Sequence, residues 1–169
     1  MKLQTKLILI SCSLIFIVIA TLAVIFQNMF EDTIKSQIGE RALSVSYAVS
    51  NNPLVIDAFE SDDPSKSIQP YAEKVRKKTG AHYIVVGNKE GVRYSHPIKE
   101  RIGKKMVGGD NQKALSGEPS ITEATGSLGP AVRGKSPIRN NDGEIIGLVS
   151  VGFLTDQIKE DIWPYKLKI

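Results

Sequence analysis

Twenty consecutive residues, 7 to 26, read "LILISCSLIFIVIATLAVIF" and carry no charge. At about 1.5 Å per helical residue this run reaches roughly 30 Å, the thickness of the bilayer's hydrocarbon core. Lys2 and Lys6 precede it, and Glu31 and Asp32 follow it. Positive flanks stay in the cytoplasm, so the chain beyond the run is expected on the far side of the membrane. A cleaved signal peptide would have an apolar region of about 7–15 residues and then a small-x-small cleavage site. "FQNMFED" does not fit that pattern. The expected layout is a cytoplasmic tail over 1–6, a transmembrane helix over 7–26, an extracytoplasmic domain over 27–162 and a juxtamembrane stub over 163–169, all held at the cell membrane.

Charge and chemistry-bearing residues narrow the function. The chain has 22 basic and 18 acidic residues. Setting aside Lys2 and Lys6 leaves 20 against 18, too small an excess for a nucleic-acid footprint. Cys12 is the single cysteine, so there is no intrachain disulfide and no cysteine-based metal site. His82 and His96 are the two histidines, and Gly-x-Ser-x-Gly does not occur. A hydrolase needs a nucleophile–base pair or a metal cluster, so no catalytic residue, metal site or cofactor is expected here.

The extracytoplasmic part changes period once. Ile34, Ile38, Ala42, Val45 and Val49 recur at helical spacing, and "NNP" at 51–53 ends that helix. A short helix in "PLVIDAFES" follows. "SIQPYAEKVRKKTG" reads as an amphipathic helix with Tyr71, Val75 and Lys78 on one side and Gly80 as its C-cap. From residue 81 the period is two. "AHYIVVGN", "VRYSH", "ITEAT", "GPAVRGKSPI" and "EIIGLVSVGFL" read as strands, with "RNNDG" as a hairpin turn. "DQIKEDIW" begins a last helix. The predicted fold is α+β: a five-stranded antiparallel sheet with flanking helices, preceded by one transmembrane helix. The long connection "PIKERIGKKMVGGDNQKALSG" interrupts the strands, and such insertions are commonly functional.

Arg133 and Lys135 are two apart on a strand, so they share a face. No Asp or Glu lies between Glu123 and Asp142 to offset them locally. Arg93 stands on another strand. His96 has the opposite parity and joins Arg93 if the chain bends before Pro97. "GSLG" at 126–129 offers successive backbone N–H groups, an anion-binding concavity. Guanidinium forks match carboxylates in pairs, and lysine adds a compact charge. The set suits a small polycarboxylate. On residue type alone, Met106 is a packing residue, Ser150 a small filler in a buried strand, and His82 a histidine with no partner in view.

The order of "RYSHP", "RIGKKMVGGD", "SLGPAVRGKSPI" and "GLVSVG" behind an anchor helix resembles the extracytoplasmic PAS-like sensor domain of the citrate/C4-dicarboxylate sensor histidine kinases, the CitA/DcuS type. The likeness runs from about residue 7 to about 162. It implies that Arg93, His96, Arg133 and Lys135 bind ligand carboxylates. It also implies that Gly126, Ser127 and Leu128 supply backbone donors, and that Met106 and Ser150 contact ligand. The lysine at 135 resembles the citrate-type pocket, where C4-dicarboxylate members often carry an aromatic residue; citrate and malate are the acids in view. The likeness further implies a homodimer, a second span marked by Trp163 and Tyr165, a kinase module using ATP beyond residue 169, and a response regulator as partner. A chemoreceptor or cyclase with a similar carboxylate sensor is the alternative.

Overall fold

The structure is a computed structural model and describes residues 3–158. The chain divides into two compact units, with the boundary after Gln37. The apolar run and the helix predicted after it form one helix, α1, Leu3–Ser50. No glycine or proline interrupts it until Gly39, and nothing between residues 26 and 31 breaks helical geometry. It is long and apolar enough to cross a membrane, and its apolar window is fully exposed.

Within the second unit, Asn52 caps α2 (Pro53–Ala58), its side-chain oxygen accepting from the Leu54 amide at 3.0 Å. Proline at the first helical position costs nothing there. Helix α3 (Ser65–Thr79) stops at Gly80, which takes the left-handed conformation at φ 69°. The buried side of α3 is Ile68 and Ala72. Lys78 is exposed, so the inward face is turned from the one the sequence pattern suggested.

The sheet has four strands: β1 (Tyr83–Asn88), β2 (Ser120–Gly126), β3 (Gly129–Arg139) and β4 (Ile145–Leu154), all antiparallel in the order β1-β4-β3-β2. The predicted central position of "EIIGLVSVGFL" holds: β4 lies between β1 and β3 and is buried along most of its length. The predicted fifth strand, "VRYSH", does not form. It touches its neighbours through two isolated bridges, Gly87 to Arg93 and Val92 to Lys105. Ser95 explains this. Its hydroxyl accepts from the Val86 amide at 2.8 Å and donates to the Ile84 carbonyl at 3.1 Å, taking the β1 edge groups that a paired strand would use. Pro97 then offers no N–H to extend a ladder.

One sheet face is apolar. Ile84, Val86, Val132, Ile138, Val149 and Val151 are buried there with Ala42, Val49, Ile68 and Ala72 from the helices. The α1 residues buried in this unit are small: Gly39, Ala42, Ser46, Val49 and Ser50. Small side chains let a helix axis approach a sheet closely. Gly134 shows how closely, because a Cβ there would meet the backbone of Ala42 and Leu43. Of the predicted stripe, Ala42 and Val49 are buried, while Ile34, Ile38 and Val45 are half-buried. The helix that begins at Thr155 is described as far as Ile158. The rest of the predicted last helix, with Trp163, Tyr165 and the 163–169 stub, lies outside the described residues.

Candidate functional site

Strand register places the polar residues on the face opposite the helices. Arg133 pairs with Gly152 on β4 and Thr122 on β2, and Lys135 pairs with Ser150 and Ser120. Directly paired residues point to the same face. On β1, Tyr83 stands opposite Gly152 and Val85 opposite Ser150. Two cross-sheet rows therefore meet under one cavity. The sheet lines it with Tyr83, Val85, Gly126, Arg133, Lys135 and Ser150, and the loops add Arg93, Met106, Val107 and Ser127.

The nine residues singled out in the sequence are thus distributed as follows. Arg93, Met106, Gly126, Ser127, Arg133, Lys135 and Ser150 line the cavity together. His96 stands one hydrogen bond behind it, its Nε2 3.1 Å from the Ser127 hydroxyl. Leu128 packs instead with Met106 and Leu154 against Tyr83, Val85 and Ala131, forming the cavity's apolar flank. The parity problem at His96 is resolved by the failed strand, because the chain bends there rather than running on. Gln69 of α3 clamps the bend, donating to the His96 carbonyl at 3.0 Å and accepting from its amide at 2.9 Å.

Electrostatics separate the four basic groups. Arg93 is buried, at 5% exposure, and among the described residues its guanidinium donates only to the Lys104 carbonyl, at 3.4 Å. Burial, and then the charge of Arg101, lower its pKa. His96 Nδ1 accepts from the Ile98 amide at 2.9 Å, which leaves the proton on Nε2 to be donated to Ser127. Burial, with the charges of Arg93 and Arg101, pushes its pKa down to about 4, so the ring is neutral at pH 7. The Arg101 guanidinium also donates to the Ser127 carbonyl at 2.5 Å, fixing the 126–129 turn from outside.

Arg133 and Lys135 differ from the sequence expectation in having an acid partner. Asp110, at the end of "VGGD", accepts from Arg133 Nη1 at 2.9 Å and from Lys135 Nζ at 2.6 Å. Thr122 donates to the other Asp110 oxygen at 2.6 Å. Lys135 also donates to the Asn111 side chain at 2.5 Å, and Arg133 Nη2 to the Ala124 carbonyl at 2.7 Å. Arg133 Nε is buried with no hydrogen-bond partner among the described residues. Burial lowers the Lys135 pKa more than the Asp110 contact raises it. His82, for which no partner was foreseen, accepts from the Leu154 amide at 2.9 Å and meets the Phe153 ring edge-on.

Sequence reasoning missed Asp110, Gln69, Arg101, Thr122 and Tyr83. Asp110 alone had a visible signal, since it sits beside two glycines in the interrupting connection. Desolvated cations with an unused donor, an apolar flank and a hydroxyl-bearing turn can hold a small anion whose carboxylates replace lost hydration. Among the described residues there is no cluster of His, Cys, Asp and Glu able to hold a metal.

The sequence matches the single cache domain 3 family over residues 29–165. Among curated proteins it is 49% identical over 150 residues to the sensor protein CitS of Halalkalibacterium halodurans, covering 88% of this chain and 28% of that one. It is 32% identical over 167 residues to the sensor histidine kinase DcuS of Escherichia coli, covering 96% of this chain and 31% of that one. The chain therefore spans about three tenths of the length of these relatives. Its fold matches the crystal structure of the E. coli DcuS sensor domain with a TM-score of 0.71 and 32% identity, over 76% of this chain and 96% of that one.

Proposed function

Because the chain belongs to the single cache domain 3 family, and to the CitA/DcuS type of sensor within it, we propose that it is the extracytoplasmic ligand-sensing part of a membrane histidine kinase, binding a small di- or tricarboxylate such as malate or citrate. The observation that carries this reading is a pair of donors on one cavity. The Arg93 guanidinium and Arg133 Nε are both buried, and neither has an acid to itself among the described residues. Burying such groups is costly unless an anion meets them.

In this reading, Arg93 takes one ligand carboxylate and Arg133 Nε with Lys135 takes another. Ser127, held by His96 and Arg101, presents its hydroxyl, and Gly126 and Leu128 add backbone donors. Met106 and Ser150 close the sides. Helix α1 anchors the domain in the membrane with residues 27–162 outside. A homodimer, and a kinase module that uses ATP and passes phosphate to a response regulator, complete the proposal for the longer protein.

The test is isothermal titration of the 169-residue chain in detergent with citrate and with malate. Saturable binding of one or both, without conversion of the acid, is the expected result. No heat with either acid sinks the proposal, and so does turnover of the acid.

A further inference from the structure

The cavity's charge is not what its cations alone would give. Arg93, Arg133 and Lys135 line it, and His96 behind them is neutral above about pH 5, its pKa being about 4. Arg101 is bound to the Ser127 carbonyl and does not line it. Asp110 also lies outside the lining, yet one of its oxygens contacts both Arg133 and Lys135. Its other oxygen is held by Thr122 and the adjacent Asn111 holds the lysine, so the carboxylate is fixed from three sides.

The chain is built to bring it there. Gly108, at φ 128°, runs so close to Arg133 that a Cβ would collide with Nη1 and lie 2.9 Å from an Asp110 oxygen. A side chain at 108 is excluded twice, by conformation and by space.

Resting on the carboxylate-binding reading above, we propose that Asp110 is the residue that sets ligand charge in this cavity. By offsetting one of three cations it leaves two net positive charges, which favours doubly over triply ionised carboxylates. Lys135 therefore does not add a third charge for a third carboxylate; Asp110 takes up that charge and leaves the lysine as a donor. Burial opposes ionisation of Asp110, but the Lys135 and Thr122 hydrogen bonds and the two cationic charges outweigh it, so the group stays charged through the neutral range.

The experiment is titration of the full chain in detergent at pH 7.5 with malate and citrate, wild type against Asp110→Asn. The amide keeps the size and one acceptor and removes the charge. The expected result is a citrate-to-malate affinity ratio raised by about tenfold or more in the variant. A ratio within about twofold of wild type overturns the proposal. So does an equal gain for both acids, which would make Asp110 a competitor for the cations. An equal loss for both would make it only a brace and also overturns it. Wild type binding neither acid fails the carboxylate reading itself, which separates the two ideas.

If Asp110→Asn does not fold, wild type alone decides. Between about pH 7.5 and 5.5 citrate passes from mostly trianion to mostly dianion, while malate stays mostly dianion with roughly a third becoming monoanion. Citrate affinity should rise about threefold or more on that descent, while malate affinity should fall by less than about twofold. A flat or falling citrate affinity overturns the proposal.

Discussion

Arg133 divides its donors three ways: Nη1 to Asp110, Nη2 to the Ala124 carbonyl, and Nε to nothing among the described residues. In the proposed reading, truncating it removes a ligand donor, and it leaves Asp110 held by Lys135 and Thr122 only among the described residues. Arg133→Ala is therefore expected to lose more than about 2 kcal/mol of ligand binding, read by calorimetry. An unchanged affinity would mean that Arg133 does not touch ligand. His96 gives a stability prediction whose sign follows from its depressed pKa. Folded, the ring titrates near pH 4; unfolded, near the ordinary histidine value of 6.5. Between those values the unfolded chain holds the extra proton, so stability is full above about pH 6.5 and is lost as pH falls toward 4. The whole shift corresponds to roughly 3 kcal/mol. Asp110, with a lowered pKa, also loses stability toward acid, so the two must be separated. His96→Asn should flatten the part of the melting-temperature profile between pH 6.5 and 5. An unaltered slope there would assign the effect elsewhere.

Element β3 works on both faces at once. Arg133 and Lys135 point to the cavity, while Gly134 between them faces α1, where a Cβ would strike the backbone of Ala42 and Leu43. Backbone cannot rotate away as a side chain can. Gly134→Ala is therefore expected to cost about 1–3 kcal/mol through overpacking, seen as a lower melting temperature. A melting point equal to wild type would show that the contact has slack. The missing fifth strand belongs to the same scale. Its sequence alternates as a strand should, yet Ser95 completes the β1 edge with a side chain, and the segment is left free to turn His96 toward Ser127. Ser95→Ala would leave the buried Val86 amide and Ile84 carbonyl without their partner, at about 1–3 kcal/mol; a chemical denaturation series measures it, and no loss would show that another group replaces the hydroxyl.

At the scale of the whole domain, core and site lie on opposite faces of one sheet. The apolar face holds the helices, and the polar face holds buried charge, which is costly to desolvate. A ligand at about 100 times its Kd should add roughly 2.7 kcal/mol to stability. For a domain of this size that raises the melting temperature by about 5–10 °C. A carboxylate panel in a thermal-shift assay checks it, and a melting point indifferent to every carboxylate would argue against a closed ligand site on that face.

The sequence alone determined what depends on near neighbours. Twenty uncharged residues form an apolar helix whatever follows them. Alternation by two puts Arg133 and Lys135 on one face without any knowledge of the partner strand, and the turn signals located β2, β3 and β4. The GSLG turn and the two basic segments were legible for the same reason. Tertiary structure decided what depends on distant ones. Asp110 meets cations 23 and 25 residues further on, and no local pattern encodes which acid of a long connection will reach a strand. Likewise, whether a serine or a strand completes the β1 edge depends on which of two hydrogen-bond sets closes around it. Spacing along the chain fixes the direction of a side chain; only packing fixes its partner, and here the partner sets the charge of the site.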